Sequence, residues 1–266
     1  MDTPPIPEHK IFSVGFRCSS AGILKNMGLK TESYPFDWLI SRLDVIIDCM
    51  ETDFHHFLNT SNYKFKHTKT YGHMETITDN YICDEHLYVN MHYQPLYKFN
   101  EQNSYQYHLA LNHYNITNSD DHLYFVRCIN RFNLMMQSTQ HKTYLHISPL
   151  FVNNIEQNIN EYKNQCIKFH DYMQQYHDKL MVYNDNICII SGLFFILVKD
   201  LLEDTSKMQI LHEWIKPNYG KCKIILLMTN HSFIDGGETF MGNHHEEEEI
   251  IKHNILHYSN LNDVII

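Results

Sequence analysis

Apolar positions along this chain change their period from segment to segment, and each change marks an element. Residues 10–16, KIFSVGF, are a short apolar run, which predicts a buried strand. Gly15 near its end supplies the backbone freedom for a sharp turn. Ala21, Leu24 and Met27 then recur at helical spacing, with Ser19 or Ser20 as the cap and Gly28 as the stop. Leu43, Ile46, Ile47, Met50, Phe54 and Phe57 predict a helix over 42–58. Between 60 and 120 neither period holds. This stretch, rich in Tyr, His, Asn and Asp, is expected as long loops with short strands such as 87–93.

Order returns after 120. Phe125, Cys128, Phe132 and Met135 share one helical face, and 143–148, TYLHIS, reads as a strand. From Ile155 to Leu180 apolar residues recur in steps of four and three, a narrow seam close to a heptad. That seam fits a sheet, a helical pair or a second copy of the chain. Further strands are expected at 186–192 and 221–230, with a closing helix at 244–258. Strands separated by helices predict an α/β fold: one domain over 1–266, a mainly parallel sheet flanked by helices, and an irregular loop-rich insertion at about 60–120. Ligand sites in such folds lie beyond the carboxyl ends of strands. Cys18, Ser148 and His231 follow three of the expected strands and are therefore expected to converge.

Composition narrows the function. Of 266 residues, 43% are hydrophobic and 20% charged, which is globular. The net charge of −10 argues against a broad nucleic-acid face. Seven cysteines without CxxC spacing predict free thiols in a reducing compartment, hence the cytoplasm. The opening MDTPPIPEHK lacks an apolar leader core, and the longest apolar run, 188–198, is too short to span a bilayer, so no membrane association is expected. Neither GxGxxG nor GxxxxGK[ST] occurs, and no HExxH; no cofactor and no metal are expected. His244, His245 and the glutamates 246–249 are adjacent and cannot all face one point on a helix.

The candidate chemistry centres on Cys18. A thiol at a helix start meets unpaired N–H groups and the positive end of the helix dipole, which favour the thiolate. Arg17 adds positive potential. The competing reading is a buried structural thiol. A cysteine nucleophile needs a base; His92 is the first candidate, then His231, then His73. Asp37, between Phe36 and Trp38, is the candidate orienting acid, with a helix-capping role as its alternative. Arg127 and Arg131, one turn apart, would clamp a carboxylate or phosphate; the alternative is a solvated face. Arg17, Arg127, Arg131 and His231 form the expected substrate-binding set.

Residues 13–38, SVGFRCSSAGILKNMGLKTESYPFDW, resemble the opening of the family labelled Putative papain-like cysteine peptidase, found in bacteria and large DNA viruses. Ser13, Gly15, Cys18, Ala21, Leu24, Gly28, Leu29, Lys30 and Pro35 through Trp38 carry the resemblance, and Arg127, Arg131 and Phe132 resemble the family's middle section. The resemblance implies a Cys-His-acid hydrolase with Cys18 as nucleophile, and a papain-like α+β fold as the alternative architecture. A viral source would place the protein in host cytoplasm. Three functions follow: a hydrolase of an amide, peptide or isopeptide bond; a glycan-related transferase acting on an anionic sugar; and a non-catalytic interaction protein. The expected partners are a protein, peptide or small anionic substrate and a second copy joined through the 155–180 helix.

Overall fold

Two sheets organise the chain. The computed structural model describes residues 9–15, 18–69, 84–93, 108–111, 113–150, 155–180, 190–199, 209–216, 222–229, 249 and 251–255. In chain order the elements are β1 (Lys10–Ser13), α1 (Cys18–Asn26), β2 (Ile40–Ser41), α2 (Leu43–Glu51), α3 (His55–Leu58), β3 (Tyr63–Lys69), β4 (Asp84–Asn90), β5 (Leu109–Leu111), α4 (Ser119–Gln137), β6 (Lys142–Leu150), α5 (Ile155–Leu180), β7 (Ile190–Lys199), β8 (Gln209–Lys216) and β9 (Cys222–Thr229). Residues 251–255 are also helical.

The first sheet has the order β1-β6-β7-β9-β8. Its first four strands run parallel, and β8 pairs antiparallel with β9 at the edge. Side chains alternate between its faces, as a strand's period of two requires. Phe12, Tyr144, Phe194 and Ile224 enter one apolar core with residues of α2, α4 and α5. Ile11, Leu145, Leu193, Phe195 and Ile225 enter the other, with Ile23 and Leu24 of α1 and with Ile251 and Ile255. Helices thus cover both faces, which is why these strands read as nearly continuous apolar runs. Gly192 of β7 is forced by this packing: a Cβ there would stand 2.3 Å from the Tyr144 hydroxyl.

The mixed α/β architecture is present, with one addition. The stretch expected as long loops with short strands supplies β3, β4, which overlaps the strand expected at 87–93, and β5; with β2 they build an antiparallel sheet of order β2-β5-β4-β3. Tyr63, Leu109 and Leu111 of this second sheet share the first core, while Ile40, Leu87, Val89 and Ala110 form a small core of their own. The edge strand β8 was not expected from the pattern. The strand expected at 186–192 is described over Ile190–Lys199 instead. The helix expected over 42–58 breaks into α2 and α3 because Asp53 and Phe54 take left-handed backbone angles, φ 47° and 59°. The break turns Phe54 into the core, where it stacks on Phe36 at 5.7 Å.

The seam of α5 faces inward. Cys166, Phe169 and Met173 are buried in the core beside Tyr144 and Phe194. Its apolar spacing is accounted for by the sheet, so those three residues offer no face to a second copy. No helix among the described residues is long and apolar enough to cross a membrane.

The connections out of β1 and β6 decide where a ligand fits. These strands are parallel neighbours. The chain leaves β1 for α1 on one face and leaves β6 for α5 on the other. Connections that part to opposite faces open a crevice at the carboxyl ends of the two strands.

Candidate functional site

The candidate site is built around the end of β1, where the topology of a parallel sheet expects a crevice. Val14 N–H donates to the Leu145 carbonyl at 2.9 Å and extends the pairing with β6 by one residue. Gly15 then takes φ +61°. Glycine is required here twice over: the angle strains any side chain, and a Cβ would lie 2.5 Å from Ser41 Oγ and 3.0 Å from the Phe36 carbonyl. The Gly15 N–H donates to Ser13 Oγ at 3.3 Å. Ser13 Oγ is also 2.7 Å from Ser20 Oγ, which ties the strand to the first turn of α1. The helix opens at Cys18, one residue earlier than its expected serine caps. Cys18 is three peptide units beyond Gly15, so their Cα atoms are at most about 11 Å apart. At the far end Gly28 takes φ +70°, and Leu29 and Lys30 N–H donate back to the Leu24 carbonyl at 2.9 and 3.1 Å.

His146 on β6 holds the turn from the other side. Its ring is fully buried. Nδ1–H donates to the Val14 carbonyl at 3.2 Å, and Nε2 lies 3.1 Å from the Tyr162 hydroxyl on α5. Burial pushes its pKa down to about 4, against a smaller upward pull from the Val14 and Gly15 carbonyls. The imidazole is therefore neutral at pH 7, and both its nitrogens are engaged within the fold.

Asp37 is buried and closes the turn of residues 34–37. Its Oδ2 accepts from the Tyr34 N–H at 2.7 Å and from Lys30 Nζ. Its Oδ1 is buried without a hydrogen bond. Burial raises its pKa; the Lys30 ammonium, the Tyr34 N–H and the Arg131 charge pull the other way. Its described hydrogen-bond partners include no histidine. In this turn Tyr34 stands edge-on to Phe12 of β1 at 5.9 Å.

Arg127 is exposed, whereas Arg131 is half-buried and its Nη2 donates to Cys128 Sγ at 3.1 Å. His92 is exposed, and its ring stacks on His56 at 3.7 Å. The neighbouring Tyr93 donates to Asp48 Oδ2 at 2.9 Å, and the Asp48 charge in turn acts on Tyr172 of α5. Contacts along α5 fix that level: Tyr162 meets His146, His170 meets Tyr144, and His177 meets Lys142. Tyr172 thus lies toward the amino ends of the strands, whereas Cys18 follows a carboxyl end. Arg17, His73 and His231 lie outside the described residues. No group of three or more His, Cys, Asp or Glu side chains among the described residues is arranged to hold a metal ion.

Two residues of this crevice carry no expectation from sequence. His146 sits inside an apolar strand, TYLHIS, where one polar residue flanked by buried positions is its only signal. Ser41 is also buried, and its Oγ has no hydrogen-bond partner. Its signal is a small polar residue in the apolar stretch WLISRL.

The family model described as Putative papain-like cysteine peptidase (DUF1796) matches residues 9–171, more than half of the chain. The chain belongs to this family. The DUF1796 match runs from the residue before β1 into α5, so it contains both strands of the crevice, the second sheet and α4, and stops short of β7, β8 and β9. No curated protein matches the chain, and no solved structure does.

Proposed function

We propose that this DUF1796 protein is a cysteine hydrolase that acts on an acyl compound, an amide, peptide or isopeptide, with Cys18 as nucleophile. The observation that carries the reading is the position of Cys18: first residue of α1, just beyond the carboxyl end of β1, where the connections from β1 and β6 part. A helix start offers unpaired N–H groups and a partial positive charge of about half an electron, both of which favour a thiolate. Membership of a family described as cysteine peptidases supports the same class.

The remaining roles follow from contacts. His146 is a positioning residue, because both ring nitrogens are used in pinning the turn that leads to Cys18. Asp37 and Lys30 shape the wall of the crevice by fixing the 34–37 turn. The transferase alternative needs Arg127 and Arg131 to clamp one anion, whereas the Arg131 Nη2 donates to Cys128 Sγ at 3.1 Å. The test is turnover of p-nitrophenyl acetate. The wild-type chain is expected to release a burst of nitrophenolate with acetyl on Cys18, read by peptide mass, and Cys18→Ala is expected to lose both. A burst that survives in Cys18→Ala contradicts the reading.

A further inference from the structure

Between 120 and 137 the exposed residues of α4 are Asp120, Leu123, Arg127, Asn130, Leu134 and Gln137. They follow one another at steps of three, four, three, four and three residues, a single stripe down the helix. The outward face of a surface helix is ordinarily polar, yet Leu123 and Leu134 are 51% and 68% exposed. Among the described residues the only other exposed large apolar side chain is Phe65. Exposed leucines scattered singly are common. This pair differs because the spacing of the whole stripe is the same from either end. A two-fold axis between residues 128 and 129 would set Leu123 against Leu134, Arg127 against Asn130 and Asp120 against Gln137 of an antiparallel copy. Each of these pairs is chemically matched. The leucines bury one another. The Arg127 guanidinium holds only donors, and Asn130 Oδ1 accepts; the Asp120 carboxylate accepts, and Gln137 Nε2 donates.

We infer that this face docks a second copy of the chain: the α4 helices of two protomers pack antiparallel about a two-fold axis, Leu123 of each against Leu134 of the other. A symmetric dimer needs one patch that complements itself, and this stripe does so at every position. Its charges, Asp120 and Arg127, sum to zero, so the net charge of −10 is not concentrated where the copies meet. A single helix pair lies at the small end of protein interfaces, so the dimer is weak and exchanges readily. It is distinct from a dimer through α5, whose buried seam packs on the first sheet.

The experiment reads oligomeric state and then register. Sedimentation of the wild-type chain at about 0.1 mM is expected to show dimer. Leu134→Glu is expected to sediment as monomer with an unchanged circular-dichroism spectrum. Asn130→Asp places a carboxylate opposite each Arg127 and is expected to tighten the dimer about tenfold, whereas Asn130→Lys sets like charges there and loosens it about tenfold. Mild oxidation of a mixture of Leu123→Cys and Leu134→Cys chains is expected to join the two positions in a disulfide, read by peptide mass. Neither variant alone is expected to link to its own copy, because equivalent positions are about 16 Å apart along the axis. A wild-type monomer at that concentration overturns the proposal. So does a dimer that persists in folded Leu134→Glu, or an equal Kd for the two Asn130 variants. A mixture that forms no 123–134 disulfide also overturns it, whether or not Leu134→Glu folds.

Discussion

His146 and Val14 are joined across two parallel strands: the buried imidazole Nδ1–H donates to the Val14 carbonyl at 3.2 Å. This hydrogen bond ties a side chain of β6 to the last residue before the Gly15 turn. Its acid sensitivity follows. The folded pKa of His146 is about 4 against an ordinary 6.5, because burial disfavours the imidazolium. The unfolded chain therefore binds the extra proton first. The stabilisation is fully present above pH 6.5 and is lost as pH falls toward 4, about 3 kcal/mol in all. His108, His141 and His177 are lowered in the same direction by burial. Urea midpoints measured from pH 7 to pH 4 are expected to fall in wild type and to fall less steeply in His146→Gln.

Gly15 and Gly28 both have positive φ, and their surroundings differ. A Cβ at Gly15 meets Ser41 Oγ and the Phe36 carbonyl, whereas one at Gly28 meets nothing within 4 Å. Gly28→Ala is expected to cost only the backbone strain, about 1–2 kcal/mol. Gly15→Ala adds an overpacking cost of about 1–3 kcal/mol. Chemical denaturation of the two variants side by side checks the order, and equal losses would mean that the turn relaxes freely.

Lys142 is the fully buried cation at the start of β6. Its Nζ donates to the Ser138 and Gln140 carbonyls at 2.7 and 2.8 Å, beyond the end of α4. Those carbonyls lose their donor in Lys142→Met. A loss of about 2–4 kcal/mol is expected from the two hydrogen bonds of a charged donor that the substitution removes, read as a lower denaturant midpoint, with the alkylation rate of Cys18 unchanged.

Asp37 separates scaffold from chemistry. Asp37→Ala leaves the Lys30 ammonium and the Tyr34 N–H without their carboxylate. A loss of about 3 kcal/mol is expected from breaking a buried pair. Asp37→Asn keeps the shape of the turn and removes the charge. Its p-nitrophenyl acetate kcat is expected to stay within about threefold of wild type. A 100-fold fall in kcat without a change in melting temperature would instead make Asp37 part of the reaction.

Periodicity made the parallel sheet and α5 legible because their faces are sorted by packing alone: Phe194 and Phe195 enter opposite cores, and Cys166, Phe169 and Met173 line one side of a helix. Of the second sheet only a strand at 87–93 was legible, and β4 occupies Asp84–Asn90. β2 and β5 have two and three residues, too few to show a period. The break at Asp53 and Phe54 was hidden because Phe54 continues the helical apolar pattern while its backbone leaves the helix. Gly15 was legible as a turn. The reason only glycine fits came from Ser41 and Phe36, which are distant in sequence. Candidate histidines were ranked by local pattern, and local pattern holds no information on which end of a parallel sheet a side chain occupies.

The most direct test is the order in which iodoacetamide labels the cysteines of the native chain, followed by peptide mass across pH. Burial pushes the Cys49 thiol up to about 12 and raises those of Cys128 and Cys166. Cys18, at the start of α1, is predicted to react first and to completion, with a midpoint below the ordinary thiol value of about 8.5. A Cys18 that reacts only once the chain is unfolded, together with Cys49 and Cys166, would contradict the account.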